Sequence, residues 1–387
     1  MKKLYVSMAV VALAFVFVGR AVAADWNFYG SARMTTFYTN IDKEANGTLN
    51  DDTDLTHTLQ GNSRIGATVQ SGSVGGGFEY GTGVNVRKLF GTWNFGSGEL
   101  LVGQTYTPVT LLLSNQVYNG DNGLLNGGEF YAGRQPMLQL KFAAGMGDFK
   151  FALVSPTVAA LTSTTVSTAP AAPGTVVSTT TTSLFGQPGV TETDVTLPKI
   201  ELSYRFKGDA WFAQIYSGYQ TYDAADAADN GKAITSYVVG LGGAYSWSMV
   251  TLKANIYTAQ NPTQYGATTA TAGAPAGSAY LNPVWNGTDY EDASNMGGLL
   301  MAGFSFNDIL GLELGIGYSA SEVDVSGIKT EKTVMTYYVQ LPITLADGVF
   351  IVPEVGNYDF GDLKVTGATD TKLGSQMYYG FKTQINF

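Results

Sequence analysis

The sequence predicts an all-β protein, a transmembrane antiparallel β-barrel of about 16 strands with long extracellular loops. Three observations predict this fold class. Residues 374–387 alternate apolar and polar side chains with a period of two and end on Phe387. Short turns alternate with long polar connections along the chain, as in outer-membrane barrels. Glycine supplies 48 of the 387 residues and only 13% are charged, a composition that favours strands.

The N-terminus predicts export from the cytoplasm. Lys2 and Lys3 precede an apolar run, and Ala21-Val22-Ala23 has the small-x-small form of a signal-peptidase site. We therefore expect residues 1–23 to be a cleaved signal peptide and residues 24–387 to form a single barrel domain. Loss of the three basic residues of the signal peptide moves the net charge from −10 to −13.

The residue types exclude several kinds of chemistry. The chain has no Cys and one His, His57. Disulfides, thiolate metal sites and attached haem are therefore excluded, and most His-based catalysis with them. We expect no enzyme activity, no cofactor, no metal and no nucleic-acid partner.

The first predicted strand covers residues 28–38, with Arg33 in its polar register. Residues 40–57 follow as a polar, acidic segment that we interpret as an exposed loop. A hard cation could bind such a loop, but it lacks the glycine and distal glutamate of an EF-hand, so a solvated loop is the favoured interpretation. Residues 59–69 are the second predicted strand and include Arg64.

Strand pairs with short turns continue to residue 154, interrupted by the third long connection, residues 109–134. This connection contains Asp121 and Glu129. The predicted strands of this region cover residues 78–80, 87–96, 101–108, 137–142 and 148–154.

Two further long connections divide the second half of the chain. Residues 156–190 are rich in Thr, Ser, Ala and Pro and carry no charge, so they are predicted to be a flexible loop. Residues 260–295 form the other. Strands are predicted at residues 200–206, 211–222, 236–245, 250–258, 299–306, 312–318, 333–341 and 350–355 and in the terminal stretch.

Three segments resemble the general porin family of Gram-negative outer membranes. Gly61-Asn62-Ser63-Arg64-Ile65-Gly66 resembles a signature of that family, and residues 87–108 resemble the strands that lead into its constriction loop. Gln104 stands where many members have Arg. The terminal stretch resembles the C-terminal signal for outer-membrane assembly. The residues that carry this signal here are Tyr379, Phe381, Ile385 and Phe387.

The resemblance implies a sixteen-stranded, usually trimeric diffusion channel whose third connection folds into the pore. In the family, basic residues of the wall face acidic residues of this connection, and opposed charges in a narrow pore orient dipolar solutes. Acidic outer loops and the absence of an Arg at Gln104 predict a weak cation preference. The predicted constriction residues are Arg33, Arg64, Lys88, Gln104, Asp121, Glu129 and Lys141.

The expected location is the Gram-negative outer membrane. The expected partners are outer-membrane lipid and lipopolysaccharide, the barrel assembly machinery, small hydrophilic solutes and further copies in a homotrimer. The second connection, near Gly81-Thr82-Gly83, is too short for the loop that latches neighbouring subunits in the family. Trimerisation would therefore need other contacts.

The sequence leaves three other functions open. An outer-membrane hydrolase needs an activated nucleophile beside a base, and His57 offers only an isolated candidate. A substrate-specific channel would show aromatic side chains along the lumen, for which Tyr29, Phe37, Tyr257 and Tyr338 are candidates. A barrel that sheathes a partner protein would need an open lumen, which an inserted third connection forbids.

Overall fold

The segments with alternating apolar and polar side chains form sixteen antiparallel strands, as the sequence predicts. The structure, a computed structural model, describes residues 24–48, 50–125, 127–168, 177–226, 231–267 and 281–387. The barrel strands are β1 (Asp25–Ile41), β2 (Arg64–Ser71), β3 (Val74–Gly81), β4 (Val86–Asn94), β5 (Glu99–Tyr106), β6 (Arg134–Ala144), β7 (Gly147–Val154), β8 (Lys199–Lys207), β9 (Trp211–Asp226), β10 (Lys232–Trp247), β11 (Val250–Gln260), β12 (Ala293–Ser305), β13 (Gly311–Val325), β14 (Ile328–Gln340), β15 (Val349–Asp359) and β16 (Ser375–Asn386).

Each strand pairs with its neighbours, and the first strand pairs with the last. Ser31 of β1 lies opposite Asn386 of β16, and the N–H of Gly30 donates to the carbonyl of Phe387 (2.6 Å). The sheet therefore closes and leaves no free edge between β1 and β16, which confirms the predicted barrel.

The connections add shorter elements to this wall. Short helices occur at Lys43–Asn46 and Tyr118–Asp121, and a 3-10 turn at Pro262–Tyr265. Among the described residues no helix is long and apolar enough to cross a membrane. The additional strands are Asp52–Leu59, Thr162–Thr168, Val177–Leu184, Gln187–Pro188, Val190–Asp194, Val284–Trp285, Tyr290–Glu291, Ile343–Ala346, Asp362–Val365 and Thr371–Lys372.

Side chains of each barrel strand alternate between an outer apolar face and the lumen. On β16, Tyr379, Phe381 and Ile385 are exposed on the outside, whereas Tyr378 and Lys382 are buried inside. An apolar groove of about 960 Å³ on the outer face of β9–β13 is lined by large side chains such as Leu241. This groove belongs to the outer apolar surface and not to the pore.

Two predicted loops are more structured than expected. Residues 52–59 begin inside the predicted exposed loop 40–57 and end two residues after it. They form a strand that pairs with residues 34–41 of β1. The reason is that β1 is 17 residues long and β2 covers only its first part, so its remaining backbone groups find a partner in residues 52–59.

The uncharged segment 156–190 also contains strands, although its composition predicts a flexible loop. Residues 162–168 pair with residues 177–183, and Leu184 and Val190 are buried beside Tyr222 and Tyr290. Thr and Val favour extended backbone, and Leu184 supplies apolar area that the composition argument overlooked. The predicted signal peptide, residues 1–23, lies outside the described residues.

Short and long connections alternate, and the two shortest connections at the end of the barrel opposite the chain termini depart from this alternation. Only residues 82–85 join β3 to β4 there, and only residues 326–327 join β13 to β14. The first departure agrees with the short second connection predicted from the sequence. The second arises because β13 and β14 extend well beyond the predicted strands 312–318 and 333–341 and pair up to Val325 and Ile328.

Candidate pore constriction

Residues 107–133, which join β5 to β6, cross the lumen and are called the inserted loop below. Glu201 of β8 accepts a hydrogen bond from the N–H of Val109 (3.2 Å). Glu354 of β15 accepts one from the N–H of Val117 (2.7 Å). Because β8 and β15 stand far apart around the barrel, a loop that contacts both must pass through its interior.

Acidic side chains also organise the middle of the inserted loop. Glu313 of β13 accepts hydrogen bonds from the N–H and the side-chain amide of Asn115 (3.2 and 2.6 Å). Glu129, within the loop, accepts from the N–H groups of Leu113 and Ser114. Burial raises the pKa of Glu129 to about 8, although these two hydrogen bonds act in the opposite direction. Glu129 therefore folds the loop onto itself.

Glycines allow the inserted loop to touch the opposite wall through its backbone. A methyl group on Gly317 of β13 would lie 1.5 Å from the carbonyl oxygen of Gly127, and one on Gly128 would lie 1.9 Å from that of Gly298 on β12. Gly128 also has a φ of 109°, which side chains disfavour. Only glycine fits this contact without moving the loop or the wall.

Apolar side chains fill the lumen between the inserted loop and β9–β14. Phe130 of the loop lies 4.9 Å, centroid to centroid, from Tyr257 of β11 in an edge-on contact. A larger polar cavity lies on the other side of the inserted loop, along β1, β2, β4, β5, β6 and β16. The buried cluster comprises Val109, Leu111, Leu113, Leu124, Phe130, Ala132, Tyr216, Val238, Tyr257, Ala259, Tyr265, Leu299, Met301 and Tyr338.

A polar cavity of about 600 Å³ lies between the inserted loop and the wall and is called the constriction below. Its acidic lining residue is Asp121, and polar loop residues such as Asn115 and Gln116 complete the loop side. The basic residues that line it are Arg33, Arg64, Arg87, Arg134 and Lys382. Positive charge therefore predominates on its surface.

Glu79 of β3 holds one group of these basic side chains in place. Its buried carboxylate lies 2.7 Å from Arg87 Nε, 3.5 Å from Lys88 Nζ and 3.7 Å from Arg64 Nη1. The pairing of β3 with β4 shifts register after Glu79, so both Arg87 and Lys88 reach this carboxylate. One buried acid among three cations leaves a net positive charge.

Asp121 of the inserted loop lies among four donors, called the Asp121 cradle below. Arg33 Nη1 donates to one carboxylate oxygen, and Lys382 Nζ donates to the other (2.9 Å). The side-chain amides of Gln60 and Asn62 add one hydrogen bond each, both of 3.0 Å. Burial opposes ionisation of Asp121, but Lys382 and Arg33 outweigh it, and the pKa of this carboxyl is lowered.

Arg134 lies between two tyrosine rings at another part of the constriction. The guanidinium carbon lies 5.4 Å from the ring centre of Tyr106 and 5.9 Å from that of Tyr131. Such cation–π contacts hold a guanidinium without neutralising it. Arg134 therefore keeps its full charge towards the cavity.

The structure brings together four of the residues predicted for the constriction. Arg33, Arg64 and Asp121 line the cavity. Lys88 lies behind them, with its ammonium group near Glu79 and 5.3 Å from the ring centre of Tyr106.

The other three predicted residues stand elsewhere. Gln104 pairs with Leu89, whose side chain is exposed on the outer face, and its amide donates to the carbonyl of Val86 (2.9 Å). Lys141 lies opposite Glu99 near the turn that follows β6, away from the inserted loop. Glu129 is buried within the loop, as described above. Strand register and loop packing separate these residues from the cavity.

Sequence reasoning missed four charged residues of the site. Lys382 lies in the predicted polar register of the last strand, so its inward direction was available from the alternation. Glu79, Arg87 and Arg134 gave weaker signals. The local register shift turns Arg87 inward, and Arg134 stands at the first residue of β6, beyond the reach of a period-two argument.

Comparison with solved structures shows the fold of outer-membrane porins. The outer-membrane channel DcaP of Acinetobacter baumannii superposes with a TM-score of 0.63 at 15% identity, over 96% of this chain and 99% of that chain. OmpT of Vibrio cholerae gives 0.56 at 12% identity over 96% and 100%. An anion-selective porin from Comamonas acidovorans gives 0.52 at 11% identity over 94% and 100%.

These likenesses are confined to the fold. No family model matches the sequence, and no curated protein matches it by sequence search.

Proposed function

We propose that the protein is an outer-membrane porin, a water-filled channel for passive diffusion of small hydrophilic solutes and ions without catalytic chemistry. The observation that carries this proposal is the constriction itself, a polar cavity between a charged wall and the inserted loop. A sixteen-stranded barrel is wide enough to hold an aqueous path beside such a loop. Opposed charges at a narrow point then select among solutes by charge and dipole.

The charges favour small anions over cations. Five basic side chains and one acidic side chain line the constriction. Lys88 and Glu79 lie behind these residues, and their opposite charges cancel. The acidic outer loops act from further away, and salt screens their field beyond a Debye length of about 8 Å. This balance argues against the weak cation preference expected from the sequence.

We further propose export through a cleaved signal peptide with Ala24 as the first mature residue, insertion among outer-membrane lipid and lipopolysaccharide by the barrel assembly machinery, and a homotrimeric assembly. The exposed side chains of Phe381 on β16 and of Phe387, the residue after it, suit both lipid contact and recognition of the last strand. Residues 82–85 are too few for a latch, so trimer contacts would come from the barrel wall.

A substrate-specific channel is the second candidate. The contact of Arg134 with Tyr106 and Tyr131 favours it, because an arginine beside aromatic rings is a surface that can hold a solute. The aromatic residues that the sequence offers for such a role do not support it. Phe37, Tyr257 and Tyr338 are buried, and the hydroxyl of Tyr29 donates to Glu79 (3.0 Å). The inserted loop also argues against a lumen that holds a partner protein.

Liposome swelling separates these functions. A general channel admits neutral sugars at rates that fall with solute size and rise linearly with concentration. Saturating uptake would favour the substrate-specific channel. Liposomes that stay impermeable to ions and sugars, with folded protein inserted, would refute both.

A further inference from the structure

We propose that the Asp121 cradle is an oxyanion-binding site of the pore. Asp121 occupies it as a tethered ligand, and a small solute oxyanion such as sulfate or phosphate replaces the carboxylate. This inference rests on the proposed channel function and on the anion preference of the constriction.

The cradle presents a complete set of donors to one oxyanion. Lys382 and Arg33 carry positive charge, and the amides of Gln60 and Asn62 donate from the segment before β2. Charged donors and amides on one carboxylate are the arrangement that proteins use to bind sulfate, phosphate and carboxylate groups. With Asp121 the group carries one net positive charge, and without it two.

Two of the four donors also have contacts that do not involve Asp121. Arg33 Nε donates to Ser31 Oγ (2.9 Å). The amide of Gln60 also donates to the carbonyl of Val117 (3.3 Å). The cradle is therefore preorganised for an oxyanion.

The turn that carries Asp121 is strained. Asn119, Gly120 and Asp121 have φ values of 50°, 79° and 57°, so three consecutive residues adopt the left-handed conformation. This conformation is unfavourable for Asn and Asp, although less so than for other side chains. Release of the carboxylate lets this backbone relax, which favours exchange.

The chain on both sides of this turn is anchored separately. Before it, the N–H of Tyr118 donates to Glu354 (3.0 Å), and the Tyr118 ring stacks on Tyr378 at 3.9 Å. After it, the N–H of Leu124 donates to the side chain of Gln116 (2.9 Å). Asn122 is anchored as well, because its side-chain amide donates to the hydroxyl of Tyr358 (3.2 Å). The turn at residues 119–121 can therefore move while the inserted loop on both sides of it stays in place.

A permeating solute has direct access to the cradle. Arg33, Asn62, Asp121 and Lys382 all line the constriction. A tethered group competes at an effective concentration in the millimolar range or above, so Asp121 weakens solute binding without preventing it. Weak occupancy suits a pore, since a solute must leave as readily as it enters.

Single-channel recording with potassium sulfate at constant ionic strength tests the proposal. Asp121→Ala removes the tethered competitor, and we expect sulfate to interrupt the chloride current at concentrations about tenfold lower than in the unaltered protein. Asp347→Ala is the control, because it removes the same charge from an exposed turn and should leave the sulfate response unchanged. The double variant Asp121→Ala, Lys382→Gln should lose the increased sulfate sensitivity of Asp121→Ala.

Equal sulfate sensitivity of folded Asp121→Ala and the unaltered protein would overturn the proposal. Should Asp121→Ala fail to fold, Asp121→Asn keeps the side-chain shape and serves the same comparison. The reversal potential of the unaltered protein is recorded in the same membranes. Absence of anion preference there would refute the proposed selectivity, whereas an intact preference with equal sulfate sensitivity overturns the cradle alone.

Discussion

Replacement of Gly317 by Ala tests how the inserted loop is seated. The added methyl group would lie 1.5 Å from the carbonyl oxygen of Gly127. Restoring an ordinary van der Waals separation requires a shift of roughly 2 Å, and overpacking of this kind costs about 1–3 kcal/mol. The wall is fixed by hydrogen bonds on both sides of β13, so the loop should move, towards the constriction.

That movement should lower the conductance. A 600 Å³ cavity, taken as a sphere, is roughly 10 Å wide. A loop that moves in by about 2 Å from one side removes about a fifth of its cross-section, which limits ion flow. We expect single-channel conductance of Gly317→Ala to fall by about this fraction, with more current noise. Gly303→Ala is the matched control, because its methyl group meets no atom closer than 3.8 Å. Equal conductance and noise in the two folded variants would refute the proposed seating.

Three further predictions concern the loop anchors and assembly. Glu354→Ala leaves the N–H groups of Val117 and Tyr118 without their acceptor, at a cost of about 1–3 kcal/mol. The less firmly held loop should raise the current noise, and Glu354→Gln, which keeps an acceptor oxygen, should raise it less. Equal noise in the two variants would count against this anchor. Because the pKa of Asp121 is lowered, its ion pairs stabilise the loop fully above the ordinary pKa of Asp and are lost as the pH falls through the lowered pKa. Current noise should therefore rise only below about pH 4, and Asp121→Asn should remove this pH dependence. Noise that begins to rise near neutral pH would contradict the ion pairing of Asp121. Deletion of Phe387 should reduce the amount of heat-modifiable folded barrel in outer membranes, and an unchanged amount would show that the terminal residue is dispensable for assembly.

The barrel could be predicted from the sequence because each strand repeats one physical rule. A side chain that faces lipid must be apolar, so the period of two in β16 is readable from Tyr379 to Phe387. The strand over residues 52–59 was missed because its mostly polar sequence lacks a sustained apolar alternation. It forms because β1 has backbone groups there that need a partner.

The constriction was only partly predictable because it depends on contacts between distant segments. Arg33, Arg64 and Asp121 were found from strand alternation and from the family resemblance. Arg134 was not, because its place depends on two tyrosines that come together only in the fold. Glu129 was assigned to the pore from its charge, yet burial and the N–H groups of the loop give it a structural part.

The reversal potential in a potassium chloride gradient tests the central claim most directly. Five basic side chains and one acidic side chain line the constriction. We therefore expect chloride to permeate faster than potassium, this preference to fade in concentrated salt, and Arg64→Ala to weaken it. A clear cation preference of the unaltered channel, or a reversal potential that does not respond to Arg64→Ala, would contradict the proposed anion preference of the constriction.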